Sequence, residues 1–366
     1  MKFSVSRDDL LRPQHLAAGV VERRQTLPVL ANVLIVLEGD RLTLTGTDSE
    51  VEVVARLKLS ETGESGETTV SARKLVDIVR SLPDGATIQI SESDNKLILK
   101  SGHSRFSLST LPSTNFPNVE ASAAQLEFSC AKQTIKQLID STAFAMAHQD
   151  VRYYLNGMLW EIQPGQLRCV ATDGHRLAMC TKAVEVKPSE RVQVIVPRKG
   201  VLELSRMLDD DGDVTVAIGD KHIQVNTPSF SFTSKLVDGK FPDYERVLPR
   251  GGKNVLIGDR EEMKQAFSRS SILSNEKYRG VRLTLTDGLM TLVANNPEQD
   301  EAEEQVLVDY HGDALEIGFN VGYLLDIANA IKTDKLQATF VDADTSALVE
   351  EPEGGDVAYV IMPMRL

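Results

Sequence analysis

LNGMLWEIQPGQLRCVATD, Leu155–Asp173, decides the fold, because two other stretches repeat its pattern at nearly constant distance. LANVLIVLEGDRLTLTGTD, Leu30–Asp48, lies 125 positions before it, and YRGVRLTLTDGLMTLVANN, Tyr278–Asn296, lies 123 positions after it. The three align over 19 residues without a gap. Identity is low, but the pattern is shared. In each copy an apolar run (Val33–Leu37, Met158–Ile162, Val281–Leu285) meets a turn (Gly39-Asp40, Pro164-Gly165, Asp287-Gly288), and a second alternating run follows (Leu42–Leu44, Leu167–Cys169, Met290–Leu292). Alternation on both sides of a short Gly-containing turn predicts an antiparallel hairpin. The chain reads as one unit written three times, with a period of roughly 120 residues.

Other landmarks keep the same spacing. Before each hairpin the pattern predicts a helix: Ser6-Arg7-Asp8-Asp9 opens one that runs to about Val21, with Pro13 marking either a kink or a late start. Its counterparts are Thr134–Ala147 and Asp259–Leu273, the latter with Met263, Ala266, Phe267 and Ser270 on one face. After each hairpin comes a second helix, over Leu75–Leu82, Val201–Leu208 and Tyr323–Ile331, with Ser71 and Asn320 as N-caps and Pro197 in a first turn. Phe106–Thr110, Phe230–Ser234 and Ala358–Met362 read as closing strands. Phe116-Pro117 and Phe241-Pro242, again 125 apart, end the first two units, so the expected domains are 1–120, 121–250 and 251–366. Two helices against many strands per unit is an α+β domain with antiparallel sheets.

A chain of 366 residues, 42% hydrophobic and 25% charged, has the make-up of a soluble multidomain protein. No apolar run approaches the ~18 to 20 residues that span a bilayer, and MKFSVSRDDLL lacks a signal peptide's apolar core, so a cytoplasmic protein is expected. Cys130, Cys169 and Cys180 show no C-x-x-C spacing and read as small buried hydrophobes rather than zinc ligands or disulfides. The net charge of −13 argues against general nucleic-acid affinity. The distribution argues otherwise: Arg73, Lys74 and Arg80 recur as Arg198, Lys199 and Arg206 on the second helices. His148–Tyr154 is an insertion in the middle unit, and its adjacent tyrosines either stack on bases or begin the strand. Glu298–Glu304 holds five acids in seven positions and is either a solvated loop or a docking strip for Lys74, His103 and Arg105 of another molecule.

Asp173-Gly174-His175-Arg176 is the most enzyme-like tetrapeptide, since an Asp can orient an imidazole. Its equivalents Asp48-Ser49-Glu50 and Asn296-Pro297-Glu298 make it part of the repeated turn, and no nucleophile elbow, Walker A, H-E-x-x-H or G-x-G-x-x-G accompanies it. An enzyme of the Asp173–His175 type and a repeat scaffold that binds only proteins are the competing readings. The terminal AYVIMPMRL, 358–366, stays apolar to its end, which points to an exposed apolar groove.

RQTLPVLANVL, TGTD, ARK, SRFSLSTLP, HQDVRYYLNGML, VATDGHRLA, VIVPRKG, FTSKLVDGKFPDYERVLP, SILSNEKYRG, ANNPEQDEAEE, IGFNV and MPMRL together resemble the bacterial DNA polymerase III beta subunit family, the sliding clamps, along essentially the whole chain. The resemblance implies three similar clamp domains per chain and a head-to-tail homodimer closing into a ring, with two helices per domain facing a central hole and antiparallel sheets outside. It implies no catalysis and no cofactor. It implies loose contact with duplex DNA through Arg24, Gln149, Arg152, Tyr153 and Tyr154, with Arg73, Arg80, Arg198 and Lys199 behind them. The subunit interface carries over to Phe106 and Leu108 on one side and Ile272 and Leu273 on the other, with Lys74 and Arg105 facing Glu298, Glu301 and Glu304. A partner groove carries over to Leu155, Thr172, Gly174, His175, Arg176, Leu177, Pro242, Arg246, Val247, Asn320, Tyr323, Ser346, Val360, Met362, Pro363, Met364 and Arg365. Tyr278 forms a further wall where the family usually has Phe, and Asp344 stands where an apolar residue is usual. The implied partners are the polymerase III alpha subunit, the clamp-loader delta subunit, translesion polymerases, mismatch-repair proteins and ligase, all docking short linear motifs, with no membrane.

Overall fold

The computed structural model describes residues 1–22, 27–117, 119 and 123–365. All three hairpins form: Asn32–Glu38 with Arg41–Thr47, Gly157–Gln163 with Gln166–Thr172, and Gly280–Thr286 with Leu289–Asn295, each antiparallel across a two-residue loop. Around them each unit runs strand, helix, three strands, and the same again, a doubled half-unit. Strand Lys2–Ser6, helix α1 (Arg7–Gly19) and three strands are followed by strand Gly66–Ser71, helix α2 (Ala72–Ser81) and three more strands. The same order recurs around α3 (Lys132–Asp140) and α4 (Arg198–Met207), and again around α5 (Arg260–Ile272) and α6 (Val321–Ala330), where one two-residue strand, Asp309–Tyr310, is added.

The helices bury one stripe each, as their spacing dictates. On α2 these are Ala72, Leu75, Val76 and Val79, and on α5 Met263, Ala266, Phe267 and Ser270. Helix α1 starts at Arg7 without delay, because the Ser6 hydroxyl accepts from the Asp9 amide at 3.0 Å and donates to its carboxylate at 2.6 Å. Pro13 therefore lies inside the helix, which ends at Gly19 rather than Val21. A close approach follows on its inner side: a Cβ on Gly46 would lie 1.8 Å from the Ala17 carbonyl oxygen, so only glycine admits the helix there. Ser71 and Asn320 do cap α2 and α6, and both helices begin two or three residues earlier than the apolar spacing suggested. Pro197 ends the strand Val192–Pro197 instead of joining α4. The expected helix Thr134–Ala147 is cut short at Asp140 and followed by a 3-10 turn, Ala143–Ala145. There the Thr142 hydroxyl donates to the Leu138 carbonyl at 2.6 Å, competing with the helical ladder.

The sheets ignore the repeat boundaries. Val51–Lys58 of the first copy pairs with Phe230–Lys235 of the second, with Phe230 opposite Ala55, inside a twelve-stranded sheet. Arg176–Ala183, the counterpart of Val51–Lys58, pairs in the same way with Val357–Ile361 of the third copy inside a nine-stranded sheet. A four-stranded sheet ends in Glu301–Leu307, the third counterpart, which among the described residues pairs on one side only. By contacts the chain divides into two compact units, Met1–Gln133 with Leu202–Leu236 and Thr134–Val201 with Val237–Leu366. The twelve-stranded sheet belongs to the first and the other two to the second. Among the described residues no helix is long and apolar enough to cross a membrane.

Candidate functional site

The turn that closes each hairpin's second strand is built the same way in the first two copies. Thr47 and Thr172 donate their hydroxyls to the carbonyls of Val51 and Arg176, at 2.9 and 2.6 Å. Asp48 accepts from the amides of Glu50 and Val51, and Asp173 from those of His175 and Arg176, all at 2.7 to 3.1 Å. The residue after the Asp has left-handed backbone in both, Ser49 at φ 76° and Gly174 at φ 88°. This network spends the Asp173 carboxylate on the His175 and Arg176 amides and the Arg176 side chain, so the Asp173–His175 pair has the hydrogen bonding of a turn.

Beside the second turn opens a cleft of about 190 Å³ within the second compact unit. Leu155, Thr172, Gly174, His175, Arg176, Leu177, Pro242, Val247, Val360 and Met362, all residues that the resemblance gives to a partner groove, line it. Arg152, Tyr154 and Tyr244 line it too. The floor is apolar, with Leu155 and Leu177 buried and Val360 on Val357–Ile361, an interior strand of the nine-stranded sheet paired on both sides. The mouth is open, with Val247 and Met362 each more than two-fifths exposed.

Arg176 holds the cleft together rather than reaching into solvent. Its guanidinium donates to Asp173 at 3.0 Å, to Asp326 on α6 at 2.5 Å and to the Phe144 carbonyl at 2.7 Å, and it stacks 4.3 Å from the Tyr323 ring centroid. Arg152 acts similarly at the rim. Its side chain makes a two-pronged pair with Asp150, at 3.0 and 2.9 Å, and donates to the Asp173 carbonyl at 3.1 Å, so the guanidinium covers Gly174. The hydrogen bond from Arg152 pulls the Asp150 carboxyl down to about 2. Tyr153 and Tyr154 lie in a 3-10 turn, Tyr153–Leu155, so the reading that starts a strand there is wrong; the strand begins at Gly157. Tyr153 is exposed, whereas Tyr154 packs on the cluster of Leu159, Val170, Leu177 and Phe241.

The remaining expected groove residues divide. Tyr278, Met364 and Arg365 line a separate hollow of about 430 Å³ with Asn275, Asn295, Asn296 and Pro297. Met364 is fixed there by its amide, which donates to Gly318 at 2.9 Å. Asn320 is used as the α6 cap. Tyr323 reaches the cleft only through Arg176, and Arg246 points outward, paired with Asp243 at 2.8 Å. Ser346 and Pro363 are half-buried, and Asp344 is exposed in the Asp342–Ser346 turn and outside the cleft lining.

Arg73 and Arg80 lie on the exposed face of α2, Arg73 3.7 Å from Asp77 and Arg80 donating to the His15 ring at 2.9 Å. Arg198 is half-buried and donates to the Met146 carbonyl at 3.2 Å; Lys199 is half-buried beside it on α4. Gln149 has left-handed backbone (φ 57°) in the exposed loop before Asp150. Arg24 lies outside the described residues. Phe106 and Leu108 are half-buried on Ser104–Leu111, a strand that beyond Leu111 and Thr110 has a neighbour on one side only. Lys74 and Arg105 are exposed, as are Glu298 and Glu301. Ile272 is three-quarters exposed and Leu273 ends α5. Glu304 already has a partner in the same chain: Arg269 makes two bonds to it, at 2.8 and 2.7 Å, which lower its carboxyl below the ordinary range.

Cys169 and Cys180 are buried opposite each other on neighbouring strands, and burial pushes the Cys180 thiol up to about 11 and Cys130 up to about 12. The reading of the sequence missed Tyr244. FPDY, 241–244, carried a signal for it, since an aromatic three positions after Phe241 shares its face in a helical turn.

Comparison with known proteins agrees along the whole chain. Family models described as the N-terminal, central and C-terminal domains of the DNA polymerase III beta subunit match residues 1–120, 129–243 and 245–365. The chain is 58% identical to the beta sliding clamp of Pseudomonas aeruginosa and 50% identical to that of Escherichia coli K12, each over 100% of both chains. A crystal structure of the P. aeruginosa DNA polymerase sliding clamp with ligand superposes with a TM-score of 0.97 at 58% identity, covering 100% of both chains. One from Bartonella birtlesii, bound to griselimycin, gives 0.95 at 39% identity over the same coverage.

Proposed function

The chain belongs to the DNA polymerase III beta subunit family, the beta sliding clamps, which are non-catalytic processivity factors, and from that premise we propose how its surfaces divide the work. Two copies close head to tail into a ring around duplex DNA, in the cytoplasm. The observation that carries the ring is an unfinished series. Val51–Lys58 and Arg176–Ala183 are each paired with the closing strand of the following copy, while Glu301–Leu307 has no such partner among the described residues. The closing strand of the first copy, Ser104–Leu111, is open along most of one side. Strand edges left bare in this way invite pairing. Joining Glu301–Leu307 of one chain to Ser104–Leu111 of another completes the third junction by the rule of the first two, and an unlike-surface contact that closes after two subunits leaves no free edge. Phe106, Leu108, Ile272 and Leu273 supply the apolar part of this junction. Lys74 and Arg105 face Glu298 and Glu301, and Glu304 joins them by exchanging or sharing Arg269.

The DNA contacts are Arg24, Arg73, Arg80, Gln149, Tyr153, Arg198 and Lys199, with Arg152 and Tyr154 shared with the groove rim. Contacts of this kind attract phosphates without reading bases and let the ring slide. The cleft beside Asp173–Leu177 takes short linear motifs with apolar anchors. On this reading its occupants are the polymerase III alpha subunit, the clamp-loader delta subunit, translesion polymerases, mismatch-repair proteins and ligase. Loading onto nicked circular DNA by a clamp loader, followed by cutting, tests the ring: the protein is expected to stay on the circle and leave the linear form, and retention on free-ended DNA would sink the proposal.

A further inference from the structure

Glu161 lies in the strand Gly157–Gln163 with its side chain fully buried, an uncommon place for a carboxylate. It is surrounded by donors. The Tyr244 hydroxyl donates to Oε1 at 3.0 Å and Gln163 to the same oxygen at 3.0 Å. Gln193 donates to Oε2 at 2.7 Å, and Arg191 grips that oxygen through Nε at 2.8 Å and through Nη2. Arg168 completes the set by donating to the Tyr244 hydroxyl at 2.9 Å. A buried carboxylate with this many partners fixes geometry strongly, because any shift leaves a charge unpaired.

What it fixes is the wall of the groove. Tyr244 opens the 3-10 turn Tyr244–Arg246, is 2% exposed, and lines the cleft together with Pro242 and Val247. The wall's other polar fastenings are lighter. Arg191 Nη2 donates to Glu245 Oε1 at 3.3 Å at the surface, the Val247 amide donates to Tyr244 at 3.1 Å and the Arg246 amide to Asp243 at 3.4 Å, and Pro242, Asp243, Glu245, Arg246 and Val247 are exposed. Phe241 and the Tyr244 ring pack on Leu159, Val170 and Ile195, which sets depth. The hydroxyl, held by a charge, sets where along the sheet the turn stops.

We propose that Glu161 and Tyr244 are positioning residues for partner binding: their buried hydrogen bond holds the Pro242–Val247 wall in the shape that receives an apolar peptide anchor. This rests on the groove reading above, and it assigns the affinity of the groove in part to a residue no peptide touches. Removing the hydroxyl leaves the ring, the fold and the opposite wall in place. The wall then samples open forms, and affinity falls by the fraction of chains left competent.

The test uses the full-length protein and a fluorescein-labelled hexapeptide carrying Leu and Phe anchors. Tyr244→Phe is expected to bind it roughly threefold to tenfold more weakly, mainly through faster dissociation, with amide exchange raised at Arg246 and Val247 in the absence of peptide. Glu161→Gln in the Tyr244→Phe background is expected to add little further loss, as for two members of one unit. Met362→Ala, at the groove mouth, is the control. Unchanged binding and exchange in Tyr244→Phe, with binding lost in Met362→Ala, overturns the positioning role and leaves the groove reading standing. Unchanged binding in both overturns the groove reading and the positioning role with it.

Discussion

The turns at Asp48 and Asp173 have the same backbone and different consequences. Each is closed by a Thr hydroxyl and an Asp carboxylate, and each places one residue in the left-handed region. At the fourth position the first has Val51, 1% exposed in the core, and the second has Arg176, which ties Asp173, Phe144 and Asp326 together. A scaffold stable in its own right lets one copy change side chains without losing the strand pairing. On the proposed reading the groove uses that freedom, and one substitution per copy can show it.

The largest contrast is expected at the fourth position. Arg176→Ala leaves Asp326 and the Phe144 carbonyl without their donor and should cost about 3 kcal/mol, the scale of a broken partly buried pair, while abolishing peptide binding in a polarisation assay. Val51→Ala should cost about 2 kcal/mol in thermal unfolding by opening a small cavity, with peptide affinity unchanged. Equal loss of peptide binding in the two variants would break the comparison.

A smaller contrast concerns the left-handed residue. Gly174→Ala forces a Cβ onto φ 88° and against the Arg152 guanidinium 2.9 Å away, and is expected to destabilise by about 1 to 2 kcal/mol and to disturb the rim. Ser49 already endures φ 76°, so Ser49→Gly should raise the melting temperature slightly. The smallest effect is in the pH response at the rim. Asp150 is held down to about 2 by the hydrogen bond from Arg152, so its contribution is present above the ordinary carboxylate range and is lost as pH falls through about 2. A carboxyl titration followed by NMR should show it, and Asp150→Asn should reduce the pH dependence of stability between about 4 and about 2 by this one group's share, leaving that of other lowered carboxyls such as Glu304.

The repeats were legible because hairpins obey local rules: a period of two and a glycine in a tight loop are visible in any one copy. Helix ends were less so, since the Thr142 hydroxyl that stops α3 is an ordinary helix-compatible residue until its bond to Leu138 forms. The groove's outline was accessible only through the resemblance, and its internal mechanics were not. Arg176 meets an acid 150 positions away, and Tyr244 meets one 83 positions away. No spacing rule links such pairs. The resemblance gives Arg152 and Tyr154 to DNA; that the Arg152 guanidinium lies over Gly174, held there by Asp150, is not visible in the sequence.

Because the large sheets run across the repeat boundaries, the three copies cannot be harvested as separate pieces. Ending a recombinant fragment near residue 120 would strip Val51–Lys58 of its partner Phe230–Lys235, and ending one near residue 250 would strip Arg176–Ala183 of Val357–Ile361. Each cut turns an interior strand into an exposed template for aggregation. Sequence homology marks out three modules, but the material that can be purified in soluble form is set by the hydrogen-bond ladders that cross between them.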